Sequence, residues 1–97
     1  MKIGFIGLGN MASAMIGGML GTGGFRAEEI IGSARTQQTA ERVSEKYGIV
    51  TGTDNREIAR QADVLILAVK PIFLSNVIAG IKDCVDGENM LVISIAA

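Results

Sequence analysis

The chain has 97 residues, 48% of them hydrophobic and 20% charged, with 9 Lys and Arg against 10 Asp and Glu and no His. That length holds one domain, the apolar content excludes disorder, and the even charge leaves no footprint for a polyanion such as nucleic acid. Without His there is no Ser-His or Cys-His pair, and the single cysteine, Cys84, has neither a disulfide partner nor a zinc-ligand set, so no metal is expected.

Lys2 to Ile6 is an apolar run that stops at Gly7-Leu8-Gly9, the pattern of a buried strand bounded by glycine. Asn10 to Leu20, rich in Met, Ala and Ile, predicts a largely buried helix, in which Met11, Met15 and Met19 fall at helical spacing and read as core filling. Gly17 and Gly18 weaken that helix and are expected where it packs closely on a sheet. Glu29 to Ser33 predicts a second strand. Gln37 to Tyr47 predicts a helix with Ala40, Val43, Ser44 and Tyr47 on one face and Gly48 as its stop. Ile49 to Thr51 reads as a third strand, and Asn55 to Ala62 as a short helix capped by Asp54 or Asn55.

Val64 to Val69 is apolar throughout, as central parallel strands are, and Lys70-Pro71 ends it. Asp63, just before it, is expected as a turn or cap residue. Leu74, Val77, Ile78 and Ile81 trace another helix, and Met90 to Ile95 reads as a fifth, buried strand. Asp83, Asp86, Glu88 and the Glu28-Glu29 pair are expected to be solvated charges, and Cys84 a half-buried small apolar residue in a reducing compartment.

Strands alternate with helices, and each crossover is long enough for a right-handed parallel connection. The expected fold is therefore α/β: a doubly wound parallel sheet with helices on both faces. No segment approaches the ~18 apolar residues of a membrane span. Lys2, the following apolar run and Ala12-Ser13-Ala14 imitate a signal peptide, but Gly4, Gly7, Gly9 and Asn10 interrupt it, so a cytoplasmic chain is expected. Met90 to Ala97 carries a single acidic-free apolar run to the last residue, which suggests further chain downstream.

Gly7-Leu8-Gly9-Asn10-Met11-Ala12 matches G-x-G-x-x-A between a predicted strand and a predicted helix, the context that makes this pattern a dinucleotide fingerprint. Gly7 permits the tight turn, Gly9 lets a pyrophosphate approach the backbone, and Ala12 is small enough for the helix to pack on the strand. The helix N-terminus then offers unpaired N–H groups and a positive dipole end. NAD-type sites place Asp or Glu at the end of the second strand, whereas this stretch reads Gly32-Ser33-Ala34-Arg35-Thr36, with no acid. Ser33 and Thr36 can donate hydrogen bonds and Arg35 can fork onto a 2′-phosphate, which favours NADP (as NADPH) over NAD. Lys70 closes the central strand where open parallel sheets bind ligands, either touching cofactor hydroxyls or solvated, and Pro71 fixes the backbone there so that the carbonyls of Ala68 and Val69 could face a nicotinamide ribose. No carboxylate pair has a context for acid–base work, and no catalytic residue is assigned.

Ile3-Gly4-Phe5-Ile6-Gly7-Leu8-Gly9-Asn10-Met11-Ala12-Ser13-Ala14-Met15 resembles the start of pyrroline-5-carboxylate reductases. Asp63-Val64-Leu65-Ile66-Leu67-Ala68-Val69-Lys70-Pro71 is similar to that family's Ala-Val-Lys-Pro segment, and Val92-Ile93-Ser94-Ile95-Ala96-Ala97 to its Ser-x-Ala-Ala stretch. The resemblance spans the whole chain and implies a Rossmann-type NAD(P)-binding domain, residues 1–97, of an enzyme that reduces 1-pyrroline-5-carboxylate to L-proline in the last step of proline biosynthesis. It implies cofactor contacts from Ile6, Gly7, Leu8, Gly9, Asn10 and Met11, from Ser33 and Arg35, and from Asn55 on the adenosine side. Ala68, Val69, Lys70 and Pro71 would line the nicotinamide side, with Ala96 and Ala97 near the ring. The family's helical C-terminal domain, which supplies the substrate site and the homo-oligomer interface, is absent, so this chain is expected to be the cofactor-binding part and not active alone.

Two other readings stay open on the sequence. One is a different NADP-dependent oxidoreductase of the same N-terminal fold, such as a beta-hydroxyacid dehydrogenase or a coenzyme F420-dependent NADP reductase. The other is a stand-alone NADP-binding module without catalysis.

Overall fold

Five short segments with strand propensity lie side by side in the computed structural model, which describes residues 1–95; the contacts expected of Ala96 and Ala97 lie outside that range. The strands are β1 (Ile3–Ile6), β2 (Ile30–Ser33), β3 (Val50–Gly52), β4 (Val64–Leu67) and β5 (Leu91–Ser94). All pair in parallel, in the order β3-β2-β1-β4-β5, with Ile6 opposite both Ser33 and Leu67 at the carboxyl edge. The order reverses at β1, which is where a crevice opens above an open parallel sheet.

The connections are α1 (Asn10–Gly21), α2 (Gln37–Tyr47), α3 (Asn55–Gln61) and α4 (Pro71–Ile81). Side chains alternate across the strands and make two cores. On one face Ile3, Phe5, Ile30 and Ile66 pack with Ala12 and Ile16 of α1 and Ala40 and Val43 of α2. On the other, Ile6, Ile31, Leu65 and Leu67 pack with Ile58 and Ala59 of α3 and Ile81 of α4. The sheet is thus doubly wound, as the alternation of elements predicts.

Local chemistry sets the ends. The Thr36 hydroxyl accepts the Thr39 N–H and starts α2, while Gly48, at φ 73°, ends it with its N–H on the Ser44 carbonyl. Of the two candidate caps for α3, Asp54 is the one used: its carboxylate accepts the N–H groups of Arg56 and Glu57. Pro71 occupies the first turn of α4, where its missing N–H costs nothing.

Several expectations are corrected. β2 begins at Ile30 and not Glu29, because Ala27–Glu29 form a 3-10 turn in which the Glu29 carboxylate accepts the Arg26 N–H at 3.1 Å. Glu29 is therefore a capping residue. Ile49 belongs to the core ahead of β3, which runs on to Gly52, and β4 stops at Leu67, two residues short of Val69. Gly17 faces the Tyr47 ring of α2, 3.3 Å from where a Cβ would sit, and Gly18 faces open space; neither packs on the sheet. Asp63 anchors the N-terminus of β1, its Oδ2 accepting the Lys2 N–H at 2.8 Å. Asp83 pairs through both oxygens with Arg56, at 2.6 and 2.8 Å, and tethers α3 to the turn after α4. Asp86 is exposed, as expected, and in addition accepts N–H groups from Glu88 and Asn89 in its turn.

The largest correction concerns β5. It is not buried: it pairs only with β4 among the described residues, and Leu91 is 59% exposed. Its apolar composition announces a strand, but an edge position leaves that apolar surface uncovered. Cys84, half-buried beside the second core, is as expected. No helix among the described residues is long and apolar enough to cross a membrane.

Candidate functional site

The turn after β1 is built so that Gly7 could not carry a side chain. Its φ is 95°, and a Cβ there would lie 2.4 Å from the Ala68 carbonyl oxygen. The same turn is stitched to both neighbouring strands: the Gly7 N–H donates to the Ser33 carbonyl at 2.9 Å, and the Ala68 N–H to the Ile6 carbonyl at 2.8 Å. Leu8 folds back into the core, and Gly9 becomes the N-cap of α1 with no side chain capping it. A Cβ at Gly9 would meet nothing within 4 Å, so its backbone faces open space. The first turn of α1 holds no acidic residue, which leaves its N–H groups and dipole uncompensated.

An open cleft of about 1290 Å³ lies over this turn. Its floor is Ile6 to Met11. One end is formed by Ser33, Arg35, Thr36 and Asn55, the other by Ala68, Val69 and Lys70. The structure therefore brings these four separated sequence segments into one cavity. Ala12 is fully buried beneath it, and Pro71 stands outside the wall. Met11, expected as core filling, is 43% exposed and lines the cleft, while Met15 and Met19 do pack against the core.

Sequence reasoning missed Ala34, Thr39, Thr53, Phe73, Asn76 and Val77. Thr39 was visible as the capping partner of Thr36, and its hydroxyl accepts from that of Thr36 at 3.1 Å, leaving its own proton for the cleft. The others carry no local signal, because they line the cleft only once α4 and the β3–α3 connection are folded over it.

Ser33 plays a different part from the one its position suggests. It is fully buried, and its hydroxyl donates to Asn55 Oδ1 at 2.6 Å. Its proton is thus committed to orienting Asn55. The charge of the cleft is one-sided: Arg35 and Lys70 line it, and no carboxylate does among the described residues. The Arg35 guanidinium stacks over the Phe73 ring, 5.0 Å from its centroid. A long cleft with two cations, an uncapped helix start and a glycine turn fits an extended polyanion with two polar ends. A dinucleotide is such a molecule, and the space over Gly9 suits its pyrophosphate. No group of three or more His, Cys, Asp or Glu among the described residues could hold a metal.

Residues 2–97 match the family described as NADP oxidoreductase, coenzyme F420-dependent. The chain belongs to that family. Its members are NADP oxidoreductases by description, which agrees with an acid-free β2 end carrying Arg35. The chain is 45% identical over 96 residues to the pyrroline-5-carboxylate reductase of Methanosarcina acetivorans, covering 99% of this chain and 35% of that protein. A solved pyrroline-5-carboxylate reductase from Coxiella burnetii superposes with a TM-score of 0.90 at 38% identity, over 99% of this chain and 35% of that one. The Plasmodium falciparum pyrroline carboxylate reductase, solved with NADP bound, superposes with a TM-score of 0.75 at 29% identity, over 98% of this chain and 33% of that one. The resemblance seen in the motifs is thus carried by whole-chain similarity, and the chain spans about a third of the length of these relatives.

Proposed function

We propose that residues 1–97 are the NADPH-binding unit of a pyrroline-5-carboxylate reductase, which reduces 1-pyrroline-5-carboxylate to L-proline in proline biosynthesis. The observation that carries this reading is the single cleft joining the Gly7–Gly9 turn, Arg35 and the Ala68-Val69-Lys70 segment. The backbone N–H groups from Gly9 to Met11 would hold the pyrophosphate, and Arg35 with Thr36 and Thr39 the 2′-phosphate. Asn55, oriented by Ser33, would reach the adenosine ribose. Ala68, Val69 and Lys70 would line the nicotinamide end, with Pro71, outside the wall, starting α4 behind them.

When bound, the cofactor supplies the hydride. This chain's contribution is to bind and orient it. The same reading makes the complete enzyme a cytoplasmic homo-oligomer acting on a small molecule, in keeping with the free Cys84 and the near-even charge.

Calorimetric titration with NADPH and then NADH tests the cofactor half. NADPH is expected to bind about tenfold more tightly or better, since charge-assisted hydrogen bonds contribute ~1.5–3 kcal/mol each. A chain with a cooperative thermal transition that bound neither would overturn the reading of the cleft. For the substrate half, the chain is joined to the C-terminal part of a reductase and assayed for NADPH oxidation dependent on 1-pyrroline-5-carboxylate. Activity only with reduced coenzyme F420 and NADP would assign the alternative named by the family description.

A further inference from the structure

Phe73 stands in the first turn of α4, 38% exposed on the wall of the cleft. Arg35 leaves the end of β2. These two strands' exits flank β1 from opposite sides, β2 on one and β4 on the other, so the Arg35–Phe73 contact at 5.0 Å crosses the mouth of the cleft. We propose that Phe73 is a positioning residue for cofactor selectivity: its ring holds the Arg35 guanidinium at the cleft mouth, where it favours a dinucleotide bearing a 2′-phosphate. This rests on the reading of the cleft as an NADPH site.

The chemistry allows both contacts at once. A guanidinium meets an aromatic ring through its face and a phosphate through its in-plane N–H groups. Stacking on Phe73 therefore leaves the fork free for the anion. An unrestrained arginine loses rotamer freedom when it docks a phosphate, and a ring that already confines the side chain removes part of that loss before binding. The charge is also uncommitted: no carboxylate among the described residues forms an ion pair with Arg35, whereas Arg26, Arg56 and Arg60 each have one. A dinucleotide lacking the 2′-phosphate gains nothing from the placement of Arg35, so the part of Phe73's effect that acts through Arg35 falls on the phosphorylated cofactor.

The test is calorimetric titration of the chain and of its Phe73→Leu, Phe73→Tyr and Arg35→Ala variants with NADPH and with NADH, each variant first checked for a native thermal transition. Leucine keeps apolar bulk but has no ring. Phe73→Leu is expected to lower the NADPH-to-NADH preference about two- to five-fold, the scale of an exposed cation–π contact. Phe73→Tyr should retain the preference, and Phe73→Leu should add nothing to Arg35→Ala. An unchanged NADPH-to-NADH ratio, an equal loss for both cofactors, or tighter NADPH binding in Phe73→Leu would each overturn the inference; the last would mean that the ring draws Arg35 away from the phosphate. A wild-type chain with no preference for NADPH would instead overturn the NADPH reading, and this inference with it.

Discussion

The Ser33 hydroxyl donates a 2.6 Å hydrogen bond to Asn55 Oδ1, tying the end of β2 to the first residue of α3. Ser33 is fully buried and Asn55 half-buried, so this bond is partly shielded from water and leaves the Asn55 amide nitrogen as the group free to face the cleft. Ser33→Ala should lower stability by about 1 kcal/mol. It should also weaken NADPH and NADH binding together, since both cofactors carry the adenosine ribose that Asn55 would reach. Unchanged affinity for both, by calorimetry, would mean that Asn55 is placed without Ser33.

Two glycines of the same turn should fail in opposite ways. Gly7→Ala forces a Cβ to 2.4 Å from the Ala68 carbonyl oxygen at a φ of 95°, and is expected to destabilise the chain by about 3 kcal/mol or more. Gly9→Val has space around its Cβ and an ordinary φ of −84°, so it should keep native circular dichroism and melting temperature. It should nonetheless lose dinucleotide binding at least about tenfold, because the valine fills the approach to the backbone. Normal affinity in that variant would remove the pyrophosphate from this turn.

Arg35→Asp removes a cation and supplies the acid that the end of β2 lacks. The preference should invert from NADPH to NADH, with the ratio of dissociation constants moving by about a hundredfold or more, since each of the two changes acts on the same position. Titration with both cofactors reads this directly, and an unmoved ratio would place the 2′ position elsewhere.

The Arg56–Asp83 pair predicts acid sensitivity. Asp83 is held down to about 2, mainly by the hydrogen bond from Arg56, against an ordinary value of 3.8. A carboxyl depressed in the folded state stabilises it above the unfolded value and loses that contribution as pH falls toward the folded one. Wild-type stability should therefore drop between about pH 4 and pH 2, and Asp83→Asn should flatten that part of the profile in urea titrations. The pair is exposed, so high salt should shrink the difference. Identical acid limbs for both proteins would show the pair to be irrelevant to acid stability.

Among the described residues β5 has an unpaired strand edge, with Leu91, Val92 and Ile93 exposed at 59%, 41% and 40%. Such an edge pairs readily with another chain. Sedimentation should show association that grows with concentration and is suppressed by Ile93→Lys. A clean monomer at high concentration would show that this surface is covered.

Much of this was legible in the residues. The run Ile3 to Ile6, the G-x-G-x-x-A turn and the face of α2 each report a local property: burial, backbone freedom or helical period. Such properties depend on neighbours within a few positions, so α2 was bounded to the residue and Gly7 to its role. The resemblance added what physics alone left open at Lys70 and Asn55.

What the local pattern left open was whatever depends on a partner far along the chain. An apolar strand looks the same whether helices cover it or it lies at an edge, and only the sheet order put β5 outermost. Asp83 is solvent-exposed as its sequence reads, but its ion pair gave no local sign because the partner is 27 residues away. Ser33 looked like a ligand donor until α3 brought Asn55 to its hydroxyl, and Phe73 carried no signal at all until the fold set it beneath Arg35. Periodicity encodes which face of an element is apolar; which atoms meet that face is decided when the crossovers close and the chain excludes water between them.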